Sequence, residues 1–215
     1  MPDTSYRRDG FALSAAVGVV GVTFGVFAST SGLSLLQAMA LSGLTFTGAS
    51  QFAFVTVIAA HGTAIAATLG ALTLAMRNSL YGPALTDYLP VRGWRRFVTA
   101  QFIIDETTAM TLAHPQQPRR SFWWTAIWLY SLWNIGTLLG HVGASQLGDP
   151  AALGLDAAFP AAFLAMLIPL LRSRRIILVA VTAVVVAVAA VPFVPAGIPI
   201  LLASLGILAG RGISR

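Results

Sequence analysis

The sequence predicts an all-α, polytopic transmembrane helix bundle, and three observations carry that reading. First, 57% of the 215 residues are hydrophobic and only 9% are Asp, Glu, Lys or Arg. A soluble domain carries about a quarter charged residues to keep its surface hydrated. Second, residues 10–76, 121–148, 157–171 and 176–210 contain no charged side chain at all. Uncharged apolar runs of about 18 or more residues are read as membrane spans. Third, these runs lack the short alternating pattern of barrel strands, and lipid admits only helices or closed barrels. A soluble enzyme, a nucleic-acid binder and a disordered chain are excluded on these grounds.

Eight apolar segments follow one another, at 11–29, 35–60, 63–89, 97–113, 122–147, 157–171, 176–191 and 194–210. The first follows Tyr6-Arg7-Arg8 and so imitates a signal peptide. It runs on to Ala28, beyond the usual h-region, so an uncleaved helix behind a short cytoplasmic N-terminus at 1–10 is expected. Residues 1–215 then form a single integral membrane domain of six to eight helical elements.

All 13 basic residues are arginines, grouped mostly at segment ends: Arg7-Arg8, Arg92 with Arg95-Arg96, Arg119-Arg120, and Arg172 with Arg174-Arg175. Such spacing marks cytoplasmic loops and does not form the single basic patch of a nucleic-acid surface. It also raises a conflict of parity. Three segments separate Arg8 from Arg92 and one separates Arg96 from Arg119, and an odd number of crossings cannot return to one side. Some segments are therefore expected to be broken or re-entrant.

The interior polar residues say which. Segment 35–60 carries Gly43, Thr47, Gly48, Ser50 and Gln51 in mid-stretch, and an interruption is expected near Gly48–Ser50. A half-helix beginning there aims backbone N–H groups and a positive dipole end inward, which suits a carboxylate. Interhelical hydrogen bonding is the structural alternative for the same residues. Segment 63–89 holds Arg77 near its middle, then Asn78, Tyr81 and the breaker pair Gly82-Pro83. An ionisable group at that depth is costly and marks function. Broken helices near the midplane are how many secondary transporters build their sites.

Segment 97–113 carries Asp105-Glu106. On one continuous helix Asp105 shares its face with Gln101 and Thr108, and Glu106 shares its own with Phe102, Ala109 and Met110. Asp105 is thus expected to be the ionised carboxylate, paired with Arg77 or with a ligand cation. Glu106, on the apolar face, is expected to hold a proton. In segment 122–147 Ser131, Asn134, Thr137, His141 and Ser145 form a polar stripe interleaved with Gly136, Gly140 and Gly143. Trp123, Trp124 and Trp128 form an interfacial belt. Gly21/Gly25, Gly136/Gly140 and Gly206/Gly210 have the spacing of close helix contacts. Cysteine is absent and the histidines lack ligand spacing, so neither a thiol site nor a metal site is expected.

Taken together, Gly48-Ala49-Ser50-Gln51-Phe52, Arg77-Asn78-x-x-Tyr81-Gly82-Pro83-x-Leu85, Asp105-Glu106, Trp133-Asn134-x-Gly136-Thr137-x-x-Gly140 and Leu155-Asp156-x-Ala158-x-Pro160-Ala161-x-Phe163 resemble the AzlC family. The likeness runs in order over nearly the whole chain. The chain is slightly short for the family, and Ile104 stands before Asp105 where Thr is frequent. The resemblance implies export of leucine, isoleucine and valine, with methionine at the margin, across the bacterial cytoplasmic membrane. It also implies a small AzlD-type partner subunit. No nucleotide-binding loop and no cofactor are implied.

A zwitterionic amino acid needs donors for its carboxylate, acceptors for its ammonium and an apolar pocket. Thr47, Gly48, Ala49, Ser50, Gln51, Phe52, Arg77, Asn78, Tyr81 and Asn134 are the candidate substrate-binding residues. Phe46 and Phe54 are further candidate walls, and Asp105 and Glu106 are the candidate ion-coupling pair. The alternatives are a channel for small neutral solutes and an intramembrane serine hydrolase using Ser50 with His141.

Overall fold

The computed structural model describes residues 4–146, 164, 168, 171–194 and 198–210. Among them every regular element is helical. The motif Leu155 to Phe163 and most of the segment at 157–171 lie outside the described residues.

Helix α1 (Ser5–Thr30) is the one described helix long and apolar enough to cross a membrane by length and composition. Its 26 residues extend about 39 Å. Helix α8 (Pro118–Gln146) is longer still, at 29 residues, but its tryptophans and polar stripe lower its hydropathy. The two pack backbone to backbone. A Cβ on Gly18 would stand 3.0 Å from Leu132, one on Gly21 2.8 Å from the Trp133 carbonyl, and one on Gly25 would meet Thr137 and His141. Gly136 and Gly140 return the contact against Gly18 and Val22. The paired numbers rise together, so α1 and α8 run parallel. Both start at one end of the bundle, beside Arg7, Arg8, Arg119 and Arg120.

Segment 35–60 is interrupted as expected, and the interruption is a reversal. Helix α2 (Leu35–Thr45) descends along α8 from the far end. His141 Nε2 donates to the Leu33 carbonyl at 2.9 Å, the Ser42 and Thr137 hydroxyls bond at 3.1 Å, and the Tyr130 hydroxyl donates to the Gly43 carbonyl at 3.2 Å. Helix α3 (Ala49–Ala59) then climbs back beside α1. Phe52 lies edge-on to Phe24 at 5.3 Å, Val55 shares a core with Ala28 and Leu33, and Ile58 lines one cleft with Gln37. Each arm has 11 residues. At about 16 Å apiece they reach half of a ~30 Å hydrocarbon layer.

The tip turns through Phe46 and Gly48, both at positive φ, 33° and 51°. Side chains from other helices bond the α2 carbonyls at this tip. Gln51, fully buried, donates to Leu41 at 2.8 Å and Ser42 at 3.1 Å, and Gln101 donates to Leu44 at 2.8 Å. A buried hydrogen bond lost in a dry interior is costly. Gln51→Leu, close in size, is therefore expected to remove about 1–3 kcal/mol of stability, read as a lower melting temperature of the purified protein.

Helix α4 (Ala64–Ala75), a 3-10 stretch (Met76–Leu80) and helix α5 (Tyr81–Leu85) make one continuous crossing. It runs from Ala66 and Ala67 against Val57 to Leu85 against Phe122. Gly82-Pro83 tightens this path without ending it. Pro83 has no N–H to offer the turn before it, and the helix accommodates this by the tighter winding that carries Arg77.

Segment 97–113 is also a hairpin, entering from the arginine end. Helix α6 (Arg95–Gln101) reaches α2 through Gln101, and helix α7 (Asp105–Ala113) returns. Ser121 donates to the Met110 carbonyl at 2.9 Å, and His114 meets Ser5 at 3.5 Å. Thr107 fastens the tip by donating to the Phe102 carbonyl at 2.6 Å and accepting from Ile104 N–H at 3.1 Å. This corrects the continuous-helix expectation. Gln101 and Asp105 lie on opposite arms of a turn, as do Phe102 and Glu106, so they share no helix face.

The parity conflict thereby disappears. Helices α1, α4–α5 and α8 each run from one end of the bundle to the other, while the two hairpins enter and leave on the same side. Arg92 and Arg96 line a cleft with Leu85 and Leu89, at the same end as Arg7, Arg8, Arg119 and Arg120. Farther on, helix α9 (Arg174–Ala190) packs against α10 (Ile198–Ala203) and the 3-10 turn Ser204–Gly210. Gly206 and Gly210 abut Ala183 and Val179.

Candidate functional site

The two hairpin tips meet in the middle of the bundle. Phe46 and Phe102 have ring centroids 5.9 Å apart, and both lie against Tyr130, at 5.0 and 5.5 Å. Beside them is a cavity of about 220 Å³, below the roughly 300–1,000 Å³ typical for drug-sized ligands. One wall is apolar, with Ala16, Val17 and Val20 from α1 and Leu129 from α8. The other is polar and is made where α3 and α7 both begin, with Gly48 and Ala49 on one side and Asp105 and Glu106 on the other. Arg77 and Asn78 close it from the 3-10 stretch. Two half-helix N-termini therefore face one small cavity.

Asp105 is held at both oxygens. Arg77 Nη2 lies 2.7 Å from its Oδ2, and the Tyr81 hydroxyl donates to its Oδ1 at 2.6 Å. As the first residue of α7 it also sits at the positive dipole end, which favours a carboxylate. The Arg77 and Asp105 side chains remain 44% and 39% exposed, so the pair is open to the cavity. Glu106 lines the same wall, and among the described residues no cation pairs with it. If Asp105 needs its second hold, Tyr81→Phe should lower transport roughly three- to tenfold with normal expression, measured as solute uptake into proteoliposomes.

Of the residues singled out from sequence, Thr47, Gly48, Ala49, Phe52, Arg77, Asn78, Asp105 and Glu106 line the cavity, as does Phe46. Tyr81 stands behind Asp105. Ser50 is buried and its hydroxyl contacts that of Thr47. Gln51 is engaged with α2. Asn134 donates to the Tyr130 carbonyl at 2.8 Å and faces Gly43, and Phe54 lies in the cleft between α2 and α3. Ser50 and His141 are each committed elsewhere and form no nucleophile–base pair.

Sequence reading missed Gln101, which braces one tip from the other, and the role of Trp133. A signal existed for the second. Trp133 lies about 22 Å along α8 from Pro118, too deep for an interfacial belt. The α1 wall carried no signal beyond hydrophobicity.

An all-helical membrane bundle with two re-entrant half-helix hairpins around a charged cavity is the class these features define. A sequence model of the AzlC protein family matches residues 12–147. The chain belongs to the AzlC family. Over 159 residues it is 31% identical to an uncharacterized membrane protein of Archaeoglobus fulgidus, covering 73% of this chain and 70% of the relative. It is 29% identical over 162 residues to the inner membrane protein YgaZ of Escherichia coli, covering 69% and 65%. A Helicobacter pylori uncharacterized membrane protein shares 26% over 132 residues, covering 60% and 58%. The chain thus spans less than two thirds of the length of the latter two relatives. No solved structure matches it.

Proposed function

We propose that the protein is a secondary transporter that exports leucine, isoleucine and valine, with methionine at the margin. It would work as a single multi-pass domain in the bacterial cytoplasmic membrane, together with a small AzlD-type subunit. The observation that carries this reading is the cavity itself. It has one face of charged groups and helix N-termini, one face of aliphatic side chains, and room for a small solute. Membership of the AzlC family and the gathering of arginines at one end of the bundle support the same reading. In this scheme Asp105, held by Arg77 and Tyr81, ties the start of α7 to the α4–α5 run, while Glu106 exchanges a coupling proton and faces the substrate ammonium.

The test is counterflow in proteoliposomes containing both subunits. Movement of none of these four amino acids overturns the substrate assignment. The chain reconstituted without a second polypeptide should fall well short of the full rate, and full activity alone would remove the partner from the scheme. Across a pH series, Glu106→Gln should flatten the pH dependence of transport, and an unchanged profile would take the coupling proton away from Glu106. A channel for small neutral solutes is the second reading, favoured by the opposed half-helix N-termini. Uphill accumulation of leucine distinguishes the two, since a channel only equilibrates its solute.

A further inference from the structure

Trp133 is 96% withdrawn from solvent at 4% exposure, and its indole Nε1–H has no hydrogen-bond partner. A buried, unpaired donor is costly and uncommon in a native structure. Its place gives the reason. Trp133 lines the cavity, and its Cη2 would stand 3.9 Å from a Cβ placed on Gly48. Gly48 is the N-cap of α3 and offers no side-chain cap. The first N–H groups of α3 are thus left without a side-chain acceptor beside an indole donor that also lacks one.

Arg77, the obvious cation, does not fill this need. Its charge is answered by Asp105 at 2.7 Å. A ligand carboxylate placed against Arg77 would have to displace an acid already held by two donors. At Trp133 it meets a donor that no side chain has claimed.

We infer that Trp133 Nε1–H and the uncapped start of α3 form the subsite that receives a substrate carboxylate. The proposal rests on the amino-acid export reading and deepens it, since it names the functional group recognised and a residue that recognises it. Seated there, the carboxylate lies beside the α3 dipole end. The aliphatic side chain then meets Val17, Val20 and Leu129, and the ammonium turns toward Asn78 and Glu106. Asn78 Oδ1 is likewise buried without a partner, and as an acceptor it complements an ammonium.

The experiment is calorimetric titration of the full chain, purified with its small partner subunit, using each amino acid and the matching amino alcohol. Leucine and leucinol differ only in the carboxylate. The wild-type protein should bind leucine at least about tenfold more tightly than leucinol, the loss expected for one charged hydrogen bond. Trp133→Phe keeps an aromatic ring against Phe24 and Phe52 but has no donor. It should bring leucine close to leucinol while leaving leucinol binding within about twofold of wild type. A merely structural role would weaken both ligands together.

A wild-type protein that does not distinguish the two overturns the proposal without any variant, as does a leucine-to-leucinol ratio unchanged in Trp133→Phe. Binding of a different amino acid would overturn the branched-chain reading alone. The ratio to its own alcohol would still decide the subsite. Binding of no amino acid overturns both.

Discussion

Gly140→Ala is expected to abolish the folded protein. The new methyl would overlap the Val22 carbonyl oxygen and stand 2.9 Å from the Val22 carbonyl carbon and 3.0 Å from Val26 N. All three are backbone atoms of α1, so no side chain can swing away to make room. Overpacking typically costs about 1–3 kcal/mol where side chains can adjust. Here α1 and α8 must separate along their main contact. Gly25→Ala, which meets Thr137 and His141 from the other side, should behave alike. Gly143→Ala is the control, because nothing lies within 4 Å of its added carbon. Thermal unfolding and gel-filtration profiles of the detergent-purified variants make the comparison. A stable Gly140→Ala protein would mean the two helices are not in backbone contact.

Asp105→Asn is expected to reduce transport by roughly ten- to hundredfold, the range for a lost charge-assisted hydrogen bond. Asparagine keeps an acceptor for Tyr81 but leaves the Arg77 charge unanswered. Arg77→Gln should lose about as much, and the double variant should be no worse than either single one, because the two act as a unit. The half-exposure of both side chains keeps the expected penalty below that of a fully buried pair. Exchanging them, Arg77→Asp with Asp105→Arg, should not restore activity. It would place a cation at the positive end of α7. Counterflow rates normalised to protein content decide this, and additive losses in the double variant would dissolve the proposed unit.

The membrane class, the interruption near Gly48 and the intramembrane ion pair were legible in the sequence for one reason, whereas the reversal before Asp105 and the unbroken run through Gly82-Pro83 were not. Lipid tolerates neither charge nor unpaired backbone, so every exception in an apolar run has to be explained. Gly48, Arg77 and Asp105-Glu106 are such exceptions. The glycine pairs at Gly21/Gly25 and Gly136/Gly140 were legible too, since only a missing side chain permits that approach. Even the parity of the arginines announced that some segments do not cross.

Only the tertiary structure decided that the interruptions are reversals. An 11-residue arm that turns back and one that continues after a kink bury the same apolar side chains, so hydrophobic periodicity is blind to direction. The direction is fixed by contacts far apart in sequence. Gln51, Gln101 and Tyr130 bond carbonyls near the end of α2, and Thr107 fastens the tip opposite. The same holds for the cavity. Val17, Val20 and Leu129 have nothing to set them apart from other aliphatic residues until α1 and α8 bring them together. The depth of Trp133 was legible, but that its N–H meets no acceptor was decided by the fold. Composition determines which solvent a chain must satisfy. Which donor meets which acceptor inside it depends on distance, and distance between remote residues exists only once the chain has folded.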